Sequence, residues 1–452
     1  MNTTIQLLIT LIGHAYTDKD KRVQKKEQEL GRSLSKEEED KIDKEVECLV
    51  NIKTTEHKVG NYKIVSHQLT VRKCTSQGMV SKKKWGTDDE TYNQYSILQY
   101  AIPRSFSVNY IYDENGNELQ KFFINGIPKF SSASKVDEDA DRGTGVGTAC
   151  VDLLSKIVGA TKVVKMNKAN GKFCAISMVK VQDMTILVIC SKGVHKFCLI
   201  DELDTFINTE SGLISGIAKA FKNQYTKLTK IQKGKLISRL TSGFTIIGEY
   251  NDGAHLIPLP EEETEPYIEF FGFSKNQGSI PETESLAGNP IEDMVEIRNL
   301  GLRTVGFQTY SKEEFDSIPS NIDREGTFTE GFVIYYTNDD GVVLGIEKFK
   351  TTWYILWRML RQIILRLKGP GDLPSKYEGE INKTLASRNE FLNLSDEEFR
   401  GWNEILCRFT LWFIEKGYTT ETVGISFSAT GIGNIIKEWI TKVPEETSEP
   451  SQ

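Results

Sequence analysis

The chain has 452 residues, 38% of them hydrophobic, which is enough for two or three domains with a sizeable core. Its 63 acids outnumber 56 lysines and arginines, and the net charge of −7 excludes a surface coated with general nucleic-acid affinity while leaving room for a local basic groove. Seven cysteines, odd in number and without a C-x-x-C pair, exclude a disulfide framework and a zinc ribbon, and predict reduced thiols in a cytosolic or nuclear compartment.

The first apolar run, Ile5 to Ile12, is short, has no Lys or Arg before it and is followed by charge. It reads as a buried opening element in preference to a cleaved leader, and no other run approaches membrane-spanning length. Residues 18–50 predict an accessory helix, with Ser35 and Glu38 as a capping box ahead of Ile42, Val46 and Leu49. Alternation around Tyr62 and Leu69 predicts strands, and Ser81-Lys-Lys-Lys-Trp85 a basic-aromatic loop. From about Tyr92 short strands and turns take over. Asn115-Gly116 predicts a two-residue type I′ hairpin turn, and further strands are expected at Val163-Val164, Phe173–Val179, Ile186–Cys190, Phe244–Ile247 and Phe332–Tyr336. Residues 203–240 predict helix, 260–266 and 278–290 loops, and Asn338–Gly341 a tight turn. From Trp353 the chain reads as helical over 353–368, 376–417 and 433–442. The fold class is α+β: an accessory region (1–91), an antiparallel-sheet core (92–352), an all-α C-terminal domain (353–442) and a disordered tail (443–452).

Covalent transfer of a nucleoside monophosphate needs an amine nucleophile, cations around the triphosphate, a ribose contact, a face for the base and a metal site. The chain offers a candidate for each, in order. Lys168-Ala-Asn-Gly171 places an amine on a tight turn after an apolar run. Such an amine must shed its proton, and neighbouring cations favour that. Lys348 and Lys350 alternate on a predicted strand, so both point to one face and can reach one phosphate. Glu330 opens an apolar strand, where a carboxylate can bind Mg²⁺, and Glu249 closes another, where it can accept from ribose hydroxyls. Read singly, these are a strand edge, a strand-start charge and a surface carboxylate; their order is the signal.

The ordered set resembles the covalent nucleotidyltransferase superfamily, and within it the ATP-dependent RNA ligases of the phage tRNA-repair type, with the adenylyltransferase domain of fungal tRNA ligases a near relation. Cys190-Ser-Lys-Gly193 resembles their S-K-G element, Gly243–Tyr250 their G-F-T-x-x-x-E-[FY] segment, and Glu330-Gly-Phe-Val with Lys348-Phe-Lys-Thr-Thr-Trp-Tyr354 their E-G-[YF]-V and K-x-K-x-x-W-Y. Pro103-Arg-Ser-Phe resembles R-G-x-x-F, and Lys129-Phe130 their K-F-F. The resemblance implies that Lys168 carries AMP, that Asn170, Lys192, Glu249, Lys348 and Lys350 hold the nucleotide, that Arg104 and Lys129 meet its phosphates and that Glu330 holds metal. Tyr92 matches a nucleotide-contacting Tyr, and Phe271 is the candidate for stacking on the base. It implies ATP and Mg²⁺ (or Mn²⁺) as cofactors and RNA, tRNA among the candidates, as partner. Asn170 stands where the phage ligases have Asp, Lys172 where they have a small residue, and Ser105 where they have Gly.

Two rivals follow from the same motifs: a capping guanylyltransferase or DNA ligase of the superfamily, which carries an OB-fold after K-x-K where this chain turns helical, and a catalytically silent RNA- or nucleotide-binding protein. Arg142–Thr148 lacks the ending of a P-loop and reads as a loop, and Thr430–Asn434 as a plain helix start. Arg358, Arg361 and Arg366 lie among apolar residues on the helix after Lys350, a pattern that suits an RNA-facing helix or an ordinary amphipathic one.

Overall fold

A computed structural model describes residues 50–71, 74–75, 78–79, 102–128, 157–253, 256–260, 263, 265–277, 287–318, 326–366, 374–418 and 432–442. The expected opening element, the Ser81–Trp85 cluster, the Arg142–Thr148 loop and the tail all lie outside these residues, as does the helix expected over 18–50 except for Val50, which begins a strand.

Three larger antiparallel sheets make up the β part. The first has the order β1-β2-β5-β6, formed by β1 (Val50–Val59), β2 (Tyr62–Val71), β5 (Ser107–Tyr112) and β6 (Glu118–Ile124), with β3 (Cys74–Thr75) and β4 (Gly78–Met79) as a separate short ribbon. Because β2 pairs with β5, residues on both sides of position 91 share one sheet. The β5–β6 connection departs from the expected two-residue turn. It spans residues 113–117, and Gly116 (φ +83°) alone of the Asn115-Gly116 pair has positive φ. The Asp113 carboxylate accepts from the amides of Asn115 (2.9 Å) and Asn117 (2.8 Å), and these bonds hold the wider loop.

The second sheet has the order β10-β9-β8-β11-β12, from β8 (Lys172–Val181), β9 (Met184–Ser191), β10 (His195–Leu199), β11 (Phe244–Asn251) and β12 (Tyr267–Lys275). Its inner strands read as continuous apolar runs because both faces are covered. On one side pack α2 (Gly212–Lys227) and α3 (Lys230–Thr241), which follow the short α1 (Leu203–Thr209). The helix expected over 203–240 is therefore three, divided at Gly212 (φ +68°) and at Thr229, which caps α3 reciprocally with Gln232. On the other side lies the third sheet, order β13-β7-β14-β15, from β7 (Lys162–Asn167), β13 (Phe307–Ser311), β14 (Gly331–Thr337) and β15 (Val343–Lys350). One apolar core joins Val164, Met166, Tyr335 and Ile346 to Ala175, Ile176 and Ile247. Strands β10, β12 and β13 and two helices, α4 (Pro290–Asn299) and α5 (Lys312–Ser317), add to the expected elements.

The C-terminal part is helical as expected: α6 (Thr352–Arg366), α7 (Pro374–Leu392), α8 (Asp396–Glu415) and α9 (Ile432–Lys442). The segment expected to run from 376 to 417 breaks at Asn393 (φ +52°), and Ser395 restarts it with a capping box to Glu398. These helices have their own core around Trp357, which meets Phe409 edge-on at 4.9 Å and Trp439 at 6.0 Å. Leu256, from the β11–β12 connection, is buried in the same cluster. Among the described residues no helix is long and apolar enough to cross a membrane.

Candidate active site

Strand β7 ends at Asn167 and hands the chain to Lys168, whose amide donates to the Gly331 carbonyl at 2.8 Å. That bond sets the residue before Gly331 beside the lysine, and Lys168 Nζ lies 2.8 Å from Glu330 Oε1. Gly331 has φ +147°, and a Cβ there would overlap the carbonyl oxygen of Phe349, so β14 and β15 can close at this point only around glycine. Their register opposes Gly331 to Lys350 and Val333 to Lys348, which carries both lysines on one face of β15.

The facing wall comes from the second sheet. Glu249 on β11 pairs across to Phe173 of β8. The β11–β12 ladder skips a residue: Ile247 opposes Gly272 and Gly248 opposes Phe270, which leaves Phe271 as the bulged position. Phe271 lines the cavity on the same face as Glu249, whereas its neighbour Phe270 points to the opposite face and is fully buried. Arg104 enters from the loop before β5, and Arg358 from α6. Arg104, Lys168, Glu249, Phe271, Glu330, Lys348, Lys350 and Arg358 surround a cavity of about 210 Å³.

Five of those eight side chains are cations and two are carboxylates, a lining matched to a polyanion. Burial pushes the Glu249 carboxyl up from 4.5 to about 7; Lys168 and Arg104 pull it down and Glu330 adds to the rise. Tyr354, one turn before Arg358, is raised by burial and then by Glu330. Among the described residues no group of three His, Cys, Asp or Glu forms an all-protein metal cage. Glu330 fits a hard divalent cation that takes its remaining oxygens from substrate phosphates and water.

Seven of the residues singled out in the sequence line this one cavity. Two others lie elsewhere. Asn170 is buried, and its Nδ2 donates to the Ile257 carbonyl at 3.2 Å, which turns it toward the loop that feeds the helical core. Lys192 is exposed in the β9–β10 turn, outside the cavity lining. Tyr92 and Lys129 fall outside the described residues. Ser105 has φ +58°, the left-handed region that the glycine of R-G-x-x-F occupies freely, and its Oγ donates to the Ser191 carbonyl at 2.7 Å. Arg358 was legible only as a residue of an arginine-bearing amphipathic helix. The stronger signal was its position one helical turn, four residues, after Tyr354 of the W-Y pair.

No protein-family model matches the chain, and no curated protein does. Among solved structures it is similar to an archaeal ATP-dependent RNA ligase, with TM-score 0.46, 11% identity and 84% of this chain against 77% of that one. It is similar to a putative ATP-dependent DNA ligase from Aquifex aeolicus, with TM-score 0.39, 14% identity and 83% against 80%. A Naegleria gruberi RNA ligase with ATP and Mn aligns with TM-score 0.32, 10% identity and 68% against 96%.

Proposed function

We propose that the protein is an ATP-dependent RNA ligase that works through a lysyl-AMP on Lys168. The observation that carries this is Lys168 Nζ held 2.8 Å from Glu330 in the same cavity as Lys348 and Lys350. An amine, a carboxylate within reach of its proton and a bank of cations are what attack on an α-phosphate requires.

In this reading the Lys168 amine loses a proton toward Glu330 and attacks the α-phosphorus of ATP. The N–P bond forms as the bond to the bridging oxygen breaks, and pyrophosphate leaves beside Arg104. Lys348 and Lys350 neutralise charge on the transferred phosphate, Glu249 accepts from ribose hydroxyls and Phe271 stacks on the base. Arg358 adds a cation that the motifs do not include. Tyr92, Lys129, Asn170 and Lys192 are assigned to the nucleotide or its phosphates by resemblance alone. A bound Mg²⁺ or Mn²⁺ would be held by Glu330 and would neutralise phosphate charge. An oxygen of an RNA 5′-phosphate then attacks the same phosphorus and Lys168 departs. Finally a 3′-hydroxyl attacks the RNA phosphate, AMP leaves and the strands are joined.

Incubation with α-labelled ATP or GTP and Mg²⁺, followed by a denaturing gel, tests the reading. Label from ATP that Lys168→Ala loses is the expected result, and retention of label by that variant removes Lys168 from its role. Label from GTP alone reassigns the protein to the capping class, and label from neither makes it a silent binding protein. Sealing of 5′-phosphate and 3′-hydroxyl RNA ends, set against a DNA nick, then tests the substrate.

A further inference from the structure

From Ser211 to Gly248 the chain contains no Asp or Glu, in a protein with 63 acids among 452 residues. The same stretch carries seven cations: Lys219, Lys222, Lys227, Lys230, Lys233, Lys235 and Arg239. It forms α2, α3 and the start of β11. Three of the seven are neutralised from outside, Lys219 by Glu265 (3.1 Å), Lys222 by Asp204 and Arg239 by Glu296 (3.2 Å). Lys227, Lys230 and Lys233 lie about the turn between the two helices, whereas Lys235 lies further along α3 in a groove shared with Glu292 and Glu296 of α4. Lys227, Lys230 and Lys235 are exposed and form no ion pair among the described residues. Lys233 lies 5.2 Å over the Tyr225 ring. Ile231, 73% exposed, stands among them. The lysines are not needed as caps, since Thr229 and Gln232 already close the start of α3. Like charges so placed repel one another in the free protein, and a closely spaced row of negative charge removes that repulsion.

The corner is separated from the candidate active site by the second sheet. Tyr250 faces α2, where its hydroxyl meets Gly216, whereas its strand neighbour Glu249 lines the cavity, and successive strand residues point to opposite faces. We propose that the α2–α3 corner is a second RNA contact, which grips the sugar–phosphate backbone of the substrate remote from its reacting ends. It sets affinity and its salt dependence and leaves adenylyl transfer untouched. The identity of the polyanion rests on the ligase reading; the surface does not.

The test replaces Lys227, Lys230 and Lys233 together by Ser in the full chain and titrates a 5′-phosphorylated single-stranded RNA over a range of salt. Loss of three phosphate contacts reduces the slope of log K on log salt by about 2 and weakens binding at low salt by roughly 10- to 100-fold. The triple Arg variant retains binding, and AMP labelling of Lys168 stays at the parent level in both. Unchanged RNA affinity and slope in the Ser variant overturn the proposal. So does a variant that keeps RNA affinity but loses a poly-glutamate probe that the parent binds, which assigns the corner to an acidic protein. If the parent binds RNA through this corner but takes no label from ATP, the ligase reading fails and the surface stands.

Discussion

At the scale of single residues, the proposed chemistry turns on the ion pair of Lys168 and Glu330. Glu330→Gln keeps the shape but cannot take a proton or hold a cation as well, and AMP labelling is expected to fall by about 10²- to 10⁴-fold with the fold intact by circular dichroism. A second carboxylate lies outside the cavity. Asp293 on α4 is buried and accepts from the Phe273 amide at 2.9 Å, yet burial pushes it from 3.8 up to about 7. A folded-state value raised in this way favours the native state below the unfolded value, and that advantage is lost as pH rises to 7. Asp293→Asn keeps an acceptor for Phe273 and removes the charge. Its stability is expected to match the parent at acid pH and exceed it by a few kcal/mol above pH 7, read by denaturant unfolding. Lys348 and Lys350 were legible at this scale because strand period alone puts them on one face. Asn170 and Arg358 were less so, since a turn toward Ile257 and a helix docking place their side chains. Ser105 shows the converse. The departure from Gly persists in a left-handed conformation because its hydroxyl gains the Ser191 carbonyl.

At the scale of elements, β14 and β15 depend on one glycine. Gly331→Ala sets a methyl against the Phe349 carbonyl at φ +147°, and the expected loss is about 2–5 kcal/mol by chemical denaturation together with loss of AMP labelling. The positions of β8, β9 and β11 were readable because continuous apolar runs such as Phe173–Val179 have few other uses, whereas β10 and β12 of the same sheet were not anticipated. Breaks within helices were less visible. Thr229/Gln232 and Ser395/Glu398 are capping boxes in plain sequence, but a box reads as a boundary only if the preceding helix is known to stop. The Asn115-Gly116 dipeptide misleads for a local reason, since the Asp113 side chain competes for the amides that a two-residue turn would use.

At the scale of the whole molecule, three sheets and a helical cluster converge on one small cavity. The first sheet reaches it through Arg104, the second through Glu249 and Phe271, the third through Lys168 and both β15 lysines, and the helices through Arg358. The change from sheets to helices after residue 352 was legible as a change of period, whereas the pairing of β2 with β5 across position 91 was not, because it joins segments far apart in the chain. Trp357 is the largest fully buried side chain of the helical cluster, so Trp357→Ala is expected to cost about 3–5 kcal/mol. Because Arg358 is the next residue, the same variant should also slow AMP labelling below its melting temperature.

The hydrogen bond from Lys168 to Gly331 has a consequence for synthesis. Between these residues the chain lays down β8 to β13 and α1 to α5, so β7 leaves the ribosome long before the strand that pairs with it. Until β14 and β15 follow, Lys168 has neither Glu330 nor the two β15 lysines beside it, and β7 presents an open edge. If the proposed reading holds, nascent chains take no label from ATP until translation has passed Lys350, and before that point the open edge of β7 is exposed to mispairing.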